Sequence, residues 1–493
     1  MTVINRRTFL KGAAAAGGAA ALSGGPFAGF VAGVRAAREV DLGPLGPVAD
    51  LRDGKVRLLL PEGLQYRSFH DTDVGPGNPP IVLDDGTVLP GRHDGMGAFT
   101  GSGGDTILIR NHEINNPGAP FGDPSTAYDS QGRSGCTTVV VSEHGEVREA
   151  WTSLNGTMMN CAGGQMPWGA WITCEETVNG PDVGPDFTGV SNALLTKPHG
   201  YIFEVPTEGV SSAEPITSAG RFPHEAVSFD PEEGILYLTE DNFAFPSGFY
   251  RYIPPSNPMQ SGSLENGGRL QMLKVAGVDN AHLEAQQVAG TTYPVEWVDI
   301  EDPDPQFPIP ASTTNDQALV YVGDQGRAQG AAGFSRLEGQ KFDRGVAYFV
   351  STQGGGAAET GPELLAGYGN GTGQVWAYRP SDQSLTCVYQ APNDNVPDQP
   401  LDFPDNVTTS NRGTIILCED SAGDNYIRGL SRKGQLFDIA LNRLRNNTTN
   451  APRFNEEFAG STFSRNGKTL YVNIQASNGI SFAIWGNWQK LGV

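Results

Sequence analysis

The chain has 493 residues, with 65 Gly and 35 Pro, and 55 acidic against 33 basic residues give it a formal charge of −22 at pH 7. So acidic a surface excludes nucleic acid and anionic lipid as partners, since both need basic groups, and leaves room for calcium, which takes oxygen ligands. Short β-branched and aromatic runs between Gly-rich and Pro-rich turns, with no long amphipathic helix, predict many short strands.

Residues 5–11 read NRRTFLK and lead into an uncharged Gly/Ala-rich stretch from Gly12 to Val34. A basic pair, Arg6 and Arg7, ahead of a weakly hydrophobic segment and a small-residue cleavage site near Ala36 or Ala37 is the layout of a twin-arginine export signal. The segment is too diluted with Gly and Ala to be a stable membrane anchor. Residues 1–37 are therefore read as a signal peptide recognised by the twin-arginine translocase. The mature chain is expected in the periplasm or outside the cell. Residues 38–90 are read as an N-terminal segment that packs on or closes the fold that follows.

From residue 91 onward seven segments share a layout: a polar residue or Cys, a short apolar run, a Gly- or Asn-rich turn, then a strand ending in a polar group. They are 93–113, 160–176, 224–241, 295–300, 337–352, 405–420 and 457–475, the fourth being incomplete. Strand ends at Glu113, Glu176, Glu240, Gln353, Glu419 and Gln475 recur at about 55 to 65 residues, with one gap about twice as long. Such a period, with two or more strands per unit, is that of a β-propeller blade. The reading is all-β, a six-bladed β-propeller over 91–493 with an insertion within about 242–335. Seven blades are the alternative, and a pair of β-sandwiches the competing architecture.

In a propeller the first residues of the innermost strands converge on one end of the central channel. Here those positions hold Asp94, Cys161, Glu225, Glu338, Asp405 with Asn406, and Glu457. Carboxylates so gathered repel one another unless cations sit among them, and a metal cluster resolves the conflict. Oxygen ligands suit calcium, whereas a thiolate beside carboxylate suits a transition metal such as iron. Glu175 and Glu176 follow Cys161 across the turn MPWG, so a hairpin would bring one of them back to the same metal. The seven histidines show no zinc-enzyme spacing, and there is no GxSxG elbow or Walker-type loop. Five cysteines, Cys136, Cys161, Cys174, Cys387 and Cys418, leave at least one unpaired in an oxidising compartment, as a buried thiol, a spare beside two disulfides, or a metal ligand. Arg336, two residues before Glu338, fits either phosphate binding or plain charge balance.

The segments SLNGTMMNCAGGQMPWGAWITCEET, HGYIFEV, GRFPHEAVSFDP, FSRLEG, FPDNVTTSNRGTIILCED and EFAGSTFSRNGKTLYVNIQ together resemble the PhoX-type alkaline phosphatases from about Gly91 to the C-terminus. The resemblance implies a twin-arginine-exported, six-bladed propeller that hydrolyses small phosphate monoesters at a mixed Fe3+ and Ca2+ cofactor, here expected as a monomer. Carried over by motif, Cys161, Glu176, Glu225 and Glu338 would bind metal and Arg336 would contact phosphate. Glu113, Asn155, Asp405, Glu419 and Glu457 are further metal candidates, inferred mainly from the repeat. The chain departs from the family in being shorter and in having VAYF after its FDRG. Two rival readings keep the propeller: a calcium-dependent lactonase or phosphotriesterase, which needs no thiolate at Cys161, and a non-catalytic exported calcium-binding propeller.

Overall fold

The runs of apolar residues that end in Gly-centred turns become antiparallel hairpins in the computed structural model, which describes residues 43–392 except 187, then 401–489 and 491–493. The export signal and the cleavage site expected near Ala36 or Ala37 lie outside the described residues. Chain order begins with β1 (Gly46–Ala49), β2 (Val56–Leu60) and β3 (Leu64–Phe69). β4 (His93–Thr100), β5 (Thr106–His112), β6 (Ser134–Val141) and β7 (Val147–Thr157) form one four-stranded sheet in that order. β8 (Asn160–Met166), β9 (Ala170–Glu175) and β10 (Ile202–Pro206) form a three-stranded sheet.

β11 (His224–Asp230), β12 (Ile235–Glu240), β13 (Phe249–Ile253), β14 (Arg269–Val275) and β15 (Thr292–Asp299) run on into β19 (Ser384–Gln390), β18 (Gln374–Arg379), β17 (Val346–Ser351) and β16 (Leu337–Asp343), a nine-stranded sheet. β20 (Pro404–Thr409), β21 (Ile415–Glu419), β22 (Tyr426–Leu430) and β23 (Leu436–Asn442) carry β2 and β1 on their outer edge. β24 (Phe458–Phe463), β25 (Thr469–Ile474) and β26 (Ile480–Gly486) are completed by β3 from the start of the described chain. That pairing, Ser481 opposite Phe69 through Gly486 opposite Leu64, ties the two ends of the fold together.

The arrangement is propeller-like. β4 packs on β8, β8 on β11, β11 on β16, β16 on β20, β20 on β24, and β24 again on β4, so the first strands close a ring. The turn from each first strand to the second holds a left-handed glycine: Gly103 and Gly104, Gly169, Gly234, Gly345, Gly413 and Gly467. Glycine meets that conformation without the steric cost other residues bear. The six complete repeat segments of the sequence are these first-and-second-strand hairpins. The incomplete one, 295–300, lies in the outer strand β15, which pairs with β14 on one side and β19 on the other.

Sheets packed face to face bury both sides of their inner strands. Every residue of β12 (ILYLTE) and β25 (TLYVNI) is buried, which is why these strands read as near-continuous apolar runs. Ile172, Ile202, Phe222, Leu236, Leu238 and Tyr250 pack into one such inter-sheet core, and Leu58, Tyr66, Ile416, Val472 and Phe482 into another. Burying a side chain of this size stabilises the fold by roughly 1.5–3 kcal/mol. The region 242–335, expected to hold an insertion, contains β13, β14, β15 and the helix Asn315–Arg327, which a Thr314/Gln317 capping box starts. Among the described residues no helix is long and apolar enough to cross a membrane. All five cysteines are buried and free.

Candidate metal centre

A regular strand would point the polar residue at its start into a sheet face, and a bulge redirects it. In β4 the pairing steps from His93 opposite His112 to Met96 opposite Arg110, so Asp94 and Gly95 together face the one residue Asn111. The same two-against-one step holds Cys161 with Ala162 in β8, Glu225 with Ala226 in β11, Glu338 with Gly339 in β16, and Asp405 with Asn406 in β20. β24 has its bulge at Gly460 and Ser461, and its acid, Glu457, stands just before the strand. A bulge bends the strand and re-aims its side chain, and here it does so toward the ring axis. Except for Asn406, whose Oδ1 accepts from Gly460 N at 2.7 Å, the second bulged residue is small, and it abuts the neighbouring first strand. A Cβ on Gly95 would lie 2.5 Å from Ala162 Cα, and one on Gly339 2.7 Å from Val407 N.

A second set of side chains comes from the residue after each second strand. Its N–H donates to the carbonyl of the residue before the first strand: Glu113 to Arg92 (3.0 Å), Glu176 to Met159 (3.0 Å), Asp241 to Pro223 (3.2 Å), Thr352 to Arg336 (3.0 Å), Asp420 to Phe403 (2.9 Å) and Gln475 to Glu457 (3.1 Å). Of these acceptors Arg92, Met159, Arg336 and Phe403 are left-handed, with φ between 40° and 51°.

Together the two sets build three linked triads, in each of which one ligand atom per residue lies within 4.8 Å of the others: Cys161, Glu176 and Glu225; then Glu225, Glu338 and Asp405; then Asp405, Asp420 and Glu457. Glu225 and Asp405 are shared. The row runs from the buried thiol end, with Cys161, Glu225 and Glu338 each at most 3 % exposed, to a half-buried end at Asp405, Asp420 and Glu457.

Burial, and then mutual repulsion, holds these acids away from their ordinary charge state. Glu225 is pushed well up by burial and by Asp405 and Asp94, Glu338 by burial and by Asp241 and Asp405, and Glu457 by burial and by Asp420. Asp405 is pushed up to about 7 by burial and Asp420. Burial also raises the Cys161 thiol, with Glu225 and Glu176 adding to it. Its Sγ donates to the carbonyls of His224 (3.2 Å) and Glu225 (3.5 Å). Cations among these groups would reverse the logic and favour the charged forms.

Arg336 stands at the edge of the row. Its Nη2 donates to Asp241 Oδ2 and Glu338 Oε1, both at 2.8 Å, its Nε also reaches Asp241, and the guanidinium lies 5.5 Å from the Phe243 ring centre.

Of the residues singled out from sequence, the triads bring together Cys161, Glu176, Glu225, Glu338, Asp405 and Glu457. Glu113 stands beside them, ion-paired with Arg92. Asn155 and Glu419 lie outside the triads. Asn155, on β7, donates from Nδ2 to Thr126 Oγ1 at 3.1 Å, and its buried Oδ1 has no partner among the described residues. Glu419 accepts from Arg428 Nε at 2.9 Å and from the N–H groups of Asp402 and Tyr426. The choice left open between Glu175 and Glu176 is made by the backbone. Glu176 turns to Cys161, while Glu175 accepts from Met158 N and Gly200 N and meets His199 Nδ1 at 2.6 Å.

Two residues of the centre, Asp241 and Asp420, escaped the sequence reading. The signal was the register of CED in β21 against CEE in β9, which pairs Asp420 with Glu176 and Glu419 with Glu175.

The family model described as "Alkaline phosphatase PhoX" matches residues 43–153 and 145–478, and that of the twin-arginine translocation signal matches residues 3–23. No curated protein matches the chain. Solved structures similar to it include an inactive variant of virginiamycin B lyase from Staphylococcus aureus, at 10 % identity over 86 % of this chain and 99 % of that one, with a TM-score of 0.37. Another is a gluconolactonase from Xanthomonas campestris, at 12 % identity over 83 % of this chain and 99 % of that one, with a TM-score of 0.35. A likeness this distant says nothing about the reaction.

Proposed function

This chain belongs to the alkaline phosphatase PhoX family, and from that membership and the linked triads of its channel we propose that it is an exported enzyme that hydrolyses phosphate monoesters at a mixed Fe3+ and Ca2+ cluster. The observation that carries the reading is the chemistry of the row. A thiol stands with two carboxylates at one end, and two all-oxygen triads continue from it. Thiolate with carboxylate suits iron, and carboxylates alone suit calcium. The donor set fits such a group at Glu225, whose buried Oε2 has no hydrogen-bond partner among the described residues and would be satisfied by a cation.

Cys161, Glu176 and Glu225 would hold iron, and Glu338, Asp405, Asp420 and Glu457 would hold calcium, Glu225 and Asp405 being common to neighbouring triads. The fold in this reading is six-bladed, the nine-stranded sheet being two four-stranded blades whose outer edges β15 joins.

When bound, the cations supply positive charge that clamps the phosphate oxygens and offsets the charge developing during displacement. The chain's own residues supply position. Asp241 and Glu338 fix the Arg336 guanidinium on two sides, while its Nη1 has no hydrogen-bond partner among the described residues and is free to donate to a phosphate oxygen. A donor held in place beforehand needs no rearrangement as charge builds up. It also gives a dianion a local attraction in a chain whose net charge of −22 repels it.

The test is elemental analysis with turnover of a phosphate monoester. The expected protein holds iron and calcium together, and Cys161→Ser loses the iron, keeps the calcium and falls by at least about 100-fold in kcat/KM. Full turnover by exhaustively metal-free protein would overturn the reading.

A further inference from the structure

Arg336 has a counterpart that neither the motifs nor the repeat singled out. The residue before each first strand is Arg92, Met159, Pro223, Arg336, Phe403 or Glu457, so two of these positions are arginines. Both are left-handed, with φ 49° at Arg92 and 40° at Arg336. Both accept, at the carbonyl, the N–H of the residue that closes the second strand. They sit in β4's and β16's units, which are three steps apart in either direction round the ring of first strands, and so face each other across the channel.

Their side chains are tethered alike. Arg92 donates from Nε to the Glu113 carbonyl at 2.6 Å and from Nη2 to the Glu113 carboxylate, as Arg336 donates from Nε and Nη2 to Asp241 and Glu338. In each the Nη1 has no hydrogen-bond partner among the described residues. Arg92 is the more open of the two, its side chain 33 % exposed against 17 % for Arg336. Besides Glu113, Glu457 and Asp94 act on its charge, and Glu457 belongs to the third triad. Charge balance for Glu113 alone would be met by one contact. A guanidinium whose Nε edge is fixed by the carbonyl and the carboxylate of one residue, with Nη1 left over and the side chain a third exposed, is a preorganised anion donor.

We propose that Arg92 is a second anion-binding arginine of this site and that the preferred substrates are phosphate esters whose leaving half carries its own negative charge. The proposal rests on the phosphatase reading: a phosphoryl group held at Arg336 projects its ester substituent across the channel, toward Arg92. A substituent with a carboxylate or a second phosphate would meet Arg92 Nη1, whereas an uncharged alcohol would leave that donor to water.

The experiment compares 3-phosphoglycerate, whose leaving half is an alcohol that carries a carboxylate, with glycerol 2-phosphate, whose leaving half is an uncharged alcohol, on metal-loaded wild type, Arg92→Ala, Arg92→Lys and Arg336→Ala. The readout is the ratio of kcat/KM for the two esters within each protein. The amount of active, metal-loaded enzyme cancels from that ratio, so a merely structural role of Arg92 leaves it unmoved. Arg92→Ala is expected to lower the ratio by about 10- to 100-fold, the range of one charge-assisted hydrogen bond. Arg92→Lys should recover part of it, and Arg336→Ala should depress both esters together. Equal losses on both esters in Arg92→Ala, or no loss on either, would overturn the proposal. If the wild type turns over neither ester, the phosphatase reading fails instead. Equilibrium binding of the same two anions by wild type and Arg92→Ala then decides the role of Arg92 by the same ratio.

Discussion

Glu419 and Asp420 are neighbours in sequence with opposite surroundings, and exchanging each for its amide should break different things. Glu419 is fully buried and accepts from Arg428 Nε at 2.9 Å, from Asp402 N at 3.1 Å and from Tyr426 N at 3.2 Å. Gln keeps one acceptor oxygen, but its amide group then faces an N–H donor and leaves Arg428 without its inner carboxylate. Breaking a buried pair costs about 3–5 kcal/mol when the remaining charge is stranded. Arg428 is not stranded, because it also pairs with Asp438 and lies over the Tyr426 ring at 3.8 Å. The expected loss for Glu419→Gln is therefore about 2 kcal/mol, roughly 30-fold in the folding equilibrium, with calcium content unchanged. Asp420→Asn removes one of three carboxylates whose ligand atoms lie within 4.8 Å of one another. Calcium affinity follows ligand charge, so about 100-fold weaker calcium dependence of turnover is expected, with the stability of the metal-free chain maintained or raised by the relieved repulsion. Urea midpoints of metal-free protein and calcium titrations of activity separate the two. Loss of calcium in Glu419→Gln with retention in Asp420→Asn would refute the assignment of faces.

Two further predictions concern the frame around the centre. Burial works against charge on His199, but Glu175 and Asp129 on either side outweigh it and hold its pKa up to about 9. Because that lies above the unfolded value of about 6.5, its stabilisation is fully present below pH about 6.5 and lost as pH rises through about 9. The unfolding free energy from urea melts should fall by an amount on the order of 3 kcal/mol between those limits, and His199→Gln should flatten the profile. Gly95→Ala places a Cβ 2.5 Å from Ala162 Cα, a clash of backbone with backbone that no rotamer relieves. It should cost at least about 1–3 kcal/mol in the urea midpoint and lower iron content, because it pushes on the bulge that carries Cys161.

The hairpins were legible because each couples a buried apolar run to a glycine turn, and both leave marks in the sequence. The outer strand β15 was not, since its pairings carry neither a bulge nor the polar residue that begins an inner strand, and VEWVDI looked like half a repeat. Asp94, Cys161, Glu225, Glu338 and Asp405 were visible as polar residues opening apolar strands, each followed by a small or short-chain residue, in HDG, NCA, HEA, LEG and PDN. That small residue is the trace of the bulge, and its reason, contact with the next blade's first strand, exists only in three dimensions. Asp241 and Asp420 were missed for a matter of register. Side chains alternate along a strand, so reading a strand end one residue early, at Glu240 or Glu419, selects the opposite face. Only the N–H of the following residue, bonded back to the carbonyl before the first strand, tells the two apart.

The cysteines connect the centre to the export signal. All five are buried and unpaired, and burial pushes the thiols of Cys136, Cys387 and Cys418 up to about 12, so in the folded chain they are inert. Unfolded, the same five would be exposed with ordinary reactivity, and in an oxidising compartment they would form disulfides that have no place in this fold. A chain that folds in a reducing compartment and crosses the membrane folded avoids that outcome, and it keeps the Cys161 thiol available for its triad. Replacing the twin-arginine signal with one that exports unfolded chains should therefore give protein with fewer than five alkylatable thiols after denaturation, less iron and less activity, while the native route gives all five. Calcium is indifferent to the route, since its ligands are carboxylates without redox chemistry, and its content measures folding separately from oxidation. Equal thiol counts and equal iron by both routes would remove oxidation as the reason for folded export.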